Sequence, residues 1–238
     1  MSVSRETVAE TVRRFDVPEP VAAADHLYLL LEALAAEPDP PTTVREPAHA
    51  LEVHVADSLA GLQVDSVRNA ERIADLGAGA GFPGLALAAA LPGVRVDLVE
   101  SARRKCEVIG RLADAAGLES RARPVPARAE EWAAGGGKDA YDVVTARALA
   151  PLAVLCEYAA PLLRLGGVLV AWKGARQPDE EGASARAAAQ LGLTDAQVVP
   201  VTPYVGSRSR HLHVYSKVSP TPERYPRRAG MAVKKPLG

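Results

Sequence analysis

Cysteine is nearly missing: Cys106 and Cys156 are the only two in 238 residues, and neither stands at metal-ligand spacing. That excludes a disulfide framework and a cysteine-built metal centre, so no metal is expected. Long apolar runs are missing as well. Segments such as Leu85 to Leu91 fall far short of the roughly twenty residues that a membrane-spanning helix needs, and no membrane partner is expected. The first residues hold acids and arginines in place of the apolar stretch of a signal peptide, which predicts a cytoplasmic protein. No internal repeat or low-complexity segment interrupts the chain. Lysine is scarce too: 6 lysines stand beside 22 arginines and alanine abounds, a bias that speaks of a GC-rich genome more than of a function.

What is present supports one large domain with a small appendage. Hydrophobic residues make up 48% of the chain, enough for a sizeable core. The formal net charge of −1 hides an uneven distribution. Residues 1–70 carry 5 basic and 12 acidic side chains, whereas residues 201–238 carry 8 and 1. A basic C-terminal segment on an otherwise acidic chain suits phosphates, because each Lys or Arg placed on one releases condensed counterions. A solvated tail is the alternative.

The most informative stretch is Asp75-Leu76-Gly77-Ala78-Gly79-Ala80-Gly81-Phe82-Pro83-Gly84, followed by Val96-Asp97-Leu98-Val99-Glu100. It reads as a strand, a glycine turn opening a helix, and a second strand ending in an acid, the pattern with which a parallel sheet holds an adenosine-bearing cofactor. Glycines there permit positive φ and let the main chain approach a ligand that a Cβ would push away. Pro83 suits the first helical turn, and Glu100 can accept both ribose hydroxyls. Two cofactors compete. Gly79-x-Gly81-x-x-Gly84 matches the dinucleotide fingerprint, whereas Asp75 ahead of three alternating glycines resembles the first motif of S-adenosylmethionine-dependent methyltransferases.

Around this loop the chain alternates strand and helix, which predicts an α/β fold with a mostly parallel, seven-stranded, Rossmann-like sheet covered on both faces. The expected strands are 72–76, 95–99, 121–125, 142–145, 168–172, 197–201 and 212–216, the last antiparallel. Helices are expected at 85–91, 103–116, 152–163 and 180–190. Ahead of the sheet, periodic segments at 6–15, 20–37 and 47–62 predict a small N-terminal helical cap. The resulting division is a cap at 1–66, a catalytic domain at 67–218 and a basic C-terminal arm at 219–238. Ligands of such sheets sit beyond the carboxyl ends of the strands. That rule selects Asp75 to Phe82, Glu100, Arg128 to Glu131, Ala146 and Arg147, and Lys173 on one rim, with Glu130 placed to frame an adenine.

Missing motifs narrow the methyl acceptor. Methylation of an adenine amine usually comes with an Asn/Asp-Pro-Pro-Tyr-like loop, and Thr145-Ala146-Arg147-Ala148 stands there instead. Pyrimidine carbon methylation needs a thiolate, and neither cysteine falls in a strand-end loop. Guanine N7 needs neither device, because its lone pair is free and only aim and electrostatics are required. Arg147 and Lys173 are the candidates for positioning phosphate or the guanine O6 edge; a structural ion pair is the alternative for Arg147.

The joint set His54-x-x-Asp57-Ser58-Leu59, the glycine loop, Ala127-Arg128-Ala129-Glu130-Glu131, Thr145 to Ala148, Trp172-Lys173-Gly174, Arg210-His211 and Pro226-Arg227-Arg228-Ala229-Gly230 resembles the bacterial small-subunit ribosomal RNA methyltransferase G family, also called glucose-inhibited division protein B. The resemblance spans about residues 45 to 237. It implies a class I S-adenosylmethionine-dependent methyltransferase acting on N7 of one guanine in the decoding-region loop of 16S rRNA, with the small ribosomal subunit or its precursor as partner and a monomeric enzyme. It also implies cofactor contacts at Gly77, Phe82, Ala129, Glu130 and Arg147, to which the rim argument adds Asp75, Gly79 and Glu100. RNA contacts are expected from Lys173, Arg208, Arg210, Arg227, Arg228, Lys234 and Lys235. Residues 37–44 depart from the family's usual Asn- and Trp-containing segment.

Overall fold

A computed structural model describes residues 3–44 and 46–238. Its helices are α1 (Arg5–Arg13), α2 (Pro20–Ala36), α3 (Pro47–Ala50), α4 (Asp57–Leu59), α5 (Asp65–Arg68), α6 (Gly84–Ala90), α7 (Arg103–Ala115), α8 (Ala129–Ala133), α9 (Leu152–Ala159), α10 (Pro178–Leu191) and α11 (Met231–Lys234). The strands are β1 (Arg72–Leu76), β2 (Arg95–Glu100), β3 (Ala122–Pro126), β4 (Tyr141–Arg147), β5 (Leu163–Lys173), β6 (Gln197–Val201) and β7 (Arg210–Ser216). They form one sheet in the order β3-β2-β1-β4-β5-β7-β6, with β7 antiparallel to both neighbours. The order reverses between β1 and β4, which opens a crevice beyond their carboxyl ends.

Two apolar layers cover the sheet. On one face α6, all seven of whose residues are buried, lies between the strands and α2, which turns Leu27, Leu30, Leu31 and Leu34 inward. The cap is thereby part of the main core, and each buried leucine contributes about 1.5–3 kcal/mol. α2 opens on Pro20 at its first position and stops at Ala36, where Glu37 takes the extended backbone (ψ 122°) that a residue preceding proline prefers. On the opposite face α9 and α10 pack on β4 and β5, and Tyr225 and Ala232 join the same cluster. The segment 219–238 is therefore folded against α9 and is no free-standing arm.

Three expected elements differ from the structure by more than two residues. The helix expected at 152–163 ends at Ala159, because Pro161 cannot continue it. β5 starts early, at Leu163, through an irregularity where Gly166 takes φ +80° and Gly167 lies so close to β4 that a Cβ would sit 2.9 Å from the Asp142 carbonyl. The single helix expected at 47–62 is broken into α3, a π-helical turn over Leu51–Ala56, α4 and a 3-10 turn over Ala60–Gln63. Such a π turn marks functional sites often; here it leaves the Val53 carbonyl facing Arg147.

Candidate functional site

The glycine loop is organised from beneath. Asp75, fully buried at the end of β1, accepts the Gly84 N–H at 3.0 Å and the Thr145 hydroxyl at 2.8 Å. Loss of water outweighs these bonds and pushes its carboxyl up to about 6. Asp75 thus fixes the loop and does not line the cleft above it. Gly77 (φ +63°), Gly79 (φ +59°) and Gly81 (φ +93°) supply backbone that side chains rarely adopt. Pro83 caps α6 instead of occupying its first turn.

The cleft above the loop has a volume of about 340 Å³ and is lined by Gly77, Glu100, Ser101, Ala129, Glu130 and Tyr158, among others. Glu100 is buried at the tip of β2, where one carboxylate oxygen accepts the Gly79 N–H at 3.2 Å and the other the Ala102 N–H at 2.9 Å. A Cβ on Gly77 would lie 2.5 Å from Leu149 Cδ1, so only glycine lets this wall close. Glu130, at the start of α8, borders the cleft and accepts the Gly230 N–H at 2.8 Å. A strand-end carboxylate for a diol, a glycine-floored wall and an acid beside a helix start fit an adenosine-bearing group.

A second cavity of about 410 Å³ adjoins the first, with Ala148 in the wall of both. Ala148 takes φ +53°, a conformation strained for alanine. The turn sends Arg147 to the second cavity and Leu149 over Gly77. Arg147 therefore faces the neighbouring space and not the cleft where a cofactor contact was expected. Its Nη1 donates to the Val53 carbonyl at 2.7 Å and to Asp57 Oδ2 at 3.0 Å, while Nη2 reaches His54 Nδ1 at 3.2 Å. Only a neutral imidazole can accept there, so the proton sits on Nε2, 3.0 Å from the Thr42 hydroxyl. Burial, aided by the Arg147 charge, lowers His54 to about 4. Phe82 stacks on the same ring with centroids 4.9 Å apart, which places it between loop and cavity and not in the cleft wall.

Lys173, Arg210, His211 and Trp172 complete the second cavity. Lys173 pairs with Glu180 at 2.7 Å, and the Trp172 indole N–H donates to the Asp57 carbonyl at 2.8 Å. Thr42 and the Val53 carbonyl had no sequence signal of their own, whereas His54, Asp57 and Trp172 stood in visible motifs. Arg208, Arg228, Lys234 and Lys235 are exposed. Arg227 differs from expectation: it forks onto Glu157, a carboxylate only 1% exposed, with Nε donating to Oε1 at 2.6 Å. Its charge is consumed inside the protein, because a buried carboxylate without a partner is costly.

Sheet order, glycine loop and strand-end acid together define a class I methyltransferase fold. Solved structures agree: an S-adenosylmethionine-dependent O-methyltransferase from Thermotoga maritima superposes with a TM-score of 0.56 at 16% identity, covering 82% of this chain and 73% of that one. Fibrillarin from Aeropyrum pernix, in complex with natively bound S-adenosyl-L-methionine, gives a TM-score of 0.51 at 18% identity over 67% of this chain and 72% of that one. The family model for rRNA small subunit methyltransferase G matches residues 41–212. Ribosomal RNA small subunit methyltransferase G of Rubrobacter xylanophilus is 42% identical over 81% of this chain and 75% of its own length, and that of Deinococcus deserti 42% over 77% and 75%. The chain belongs to the rRNA small subunit methyltransferase G family.

Proposed function

We propose that this protein transfers the methyl group of S-adenosylmethionine to N7 of a guanine in 16S rRNA, with the cofactor in the cleft above the glycine loop and the guanine in the cavity beside it. The observation that carries this reading is the shared wall: Ala148 separates a cleft with a carboxylate at its mouth from a cavity ringed by Arg147, Lys173 and Arg210. When bound, the cofactor supplies an electrophilic sulfonium methyl. The protein's own task is to aim a nucleophile that needs no activation.

Each side chain has a role in that task. Arg147, Lys173 and Arg210 attract the phosphate and O6 edge of the nucleotide. Asp57, buried among them and 3.0 Å from Arg147, offsets the positive charge that the purine gains as N7 is alkylated. His54, held neutral, adds no competing charge, and no general base is required. Glu100, Gly77, Ala129 and Glu130 hold the adenosine part, while Asp75 and Gly79 keep the loop in shape. The enzyme acts as a cytoplasmic monomer on the small subunit or its precursor; none of the described helices is long and apolar enough to cross a membrane.

The test is incubation of the purified protein with radiolabelled S-adenosylmethionine and small subunits from a strain lacking the modification, followed by nucleoside analysis. The expected product is 7-methylguanosine at one position. Absence of label, or label on another atom, refutes the proposal.

A further inference from the structure

The end of the sheet opposite the methyl-transfer rim carries a cavity of about 400 Å³ walled by Arg72, Arg95, Arg121 and Arg123, with Asp97 and Glu119 as its only carboxylates. The arginines arrive there through strand register. Arg72 and Arg95 are direct partners at the starts of β1 and β2, and Asp97 is the partner of Arg123 on β3. Like charges set opposite each other on neighbouring strands destabilise a sheet, so the fold carries this arrangement at a cost.

Three of the four guanidinium groups are held in place. Asp97, mostly buried, accepts the Tyr141 hydroxyl at 2.6 Å and the Arg123 Nε at 2.9 Å, and lies 3.8 Å from Arg72 Nη2. Arg72 rests over the Tyr141 ring, 5.2 Å from its centroid, and Arg123 over Trp132 at 5.8 Å. The Trp132 indole N–H donates to the Tyr141 hydroxyl at 2.7 Å, which ties together the two rings on which Arg72 and Arg123 rest. Arg121 Nη1 donates to the Pro92 carbonyl at 3.0 Å. The Arg95 side chain is exposed and has no hydrogen bond or ion pair among the described residues.

We propose that this arginine cup binds a phosphate group, supplied by the RNA backbone at a point of the substrate remote from the target guanine. Arginine stays charged and offers a planar fork matched to phosphate oxygens, and the contacts that hold three of the side chains beforehand lower the ordering cost of binding. The Ser120 hydroxyl at the rim adds a further donor. The RNA source rests on the proposed function; the phosphate chemistry does not.

The test compares wild type with the double variant R95A/R121A and with R95K, using filter binding of 16S rRNA across a salt series and calorimetry with inorganic phosphate. Loss of one phosphate contact lowers the slope of log affinity against log salt by about 0.7, a deficit of about 5-fold at 0.1 M salt relative to 1 M. R95K, which keeps the charge, keeps the slope. S-adenosylhomocysteine affinity stays at the wild-type value in every variant, which shows the fold intact and separates this site from the cleft. Phosphate binding abolished by R95A/R121A with rRNA affinity unchanged supports the cup and assigns it a free anion. Wild-type rRNA slope together with no phosphate binding by the wild type overturns the proposal. Failure of methyl transfer to rRNA leaves the phosphate titration standing as an independent readout.

Discussion

Replacing Asp75 by Asn tests whether a buried charge holds the glycine loop. The carboxylate is fully buried and accepts only the Gly84 N–H and the Thr145 hydroxyl. Burial raises it from an ordinary 3.8 to about 6. With the folded value above the unfolded one, the folded state binds more protons between these limits, so this group's contribution is full below the lower value and is lost as pH rises through the upper one. Two pH units correspond to about 3 kcal/mol. In Asp75→Asn the amide oxygen still accepts from Gly84, the amide N–H₂ faces a Thr145 hydroxyl turned to accept, and nothing titrates. Urea unfolding of both proteins from pH 4 to 7.5 is expected to show the stability difference moving in favour of Asn by about 2.4 kcal/mol across that range. His54, lowered from 6.5 to about 4, acts with opposite sign, its contribution being lost as pH falls from the higher value to the lower. It is common to both proteins and cancels in the difference. Asp75→Ala, which leaves the Gly84 N–H without an acceptor, is expected to be about 2–4 kcal/mol less stable than Asp75→Asn at every pH. A pH-independent difference between Asn and wild type would refute the reasoning.

Gly77→Ala places a Cβ 2.5 Å from Leu149 on a residue with φ +63°; a stability loss of about 1–3 kcal/mol and at least tenfold weaker S-adenosylhomocysteine binding are expected, by thermal unfolding and calorimetry. Arg147→Lys keeps the charge but not the fork shared among Val53, His54 and Asp57, so single-turnover methylation is expected to slow by about 100-fold while cofactor affinity stays within twofold. Arg227→Ala strands Glu157 in the core; unfolding experiments should record a loss of about 3–5 kcal/mol, with rRNA affinity of the folded fraction unchanged.

The sheet was legible because its strands are short apolar runs closed by glycines and acids, and the rim rule placed Glu100, Glu130 and Gly77 around one cleft from residue order alone. The Arg147 environment was legible only in part. The motif His54-x-x-Asp57 was visible, but the π turn beside the Val53 carbonyl has no local sequence signature, and Thr42 reaches His54 from a proline-rich segment outside any helix. The C-terminal segment misled for a physical reason. A run of basic residues reads as solvated until its tertiary partner is known, and Glu157 lies 70 positions earlier on a helix otherwise apolar. Arg95 was legible merely as a strand start; that its register partner is another arginine emerges only once β1 and β2 are aligned.

The bond from Gly230 to Glu130 makes the segment around residue 230 a structural member of the cleft above the glycine loop. Because the two residues stand 100 positions apart, that wall is complete only once the later segment has folded back against α8 and α9, and loosening that segment should loosen the cleft with it.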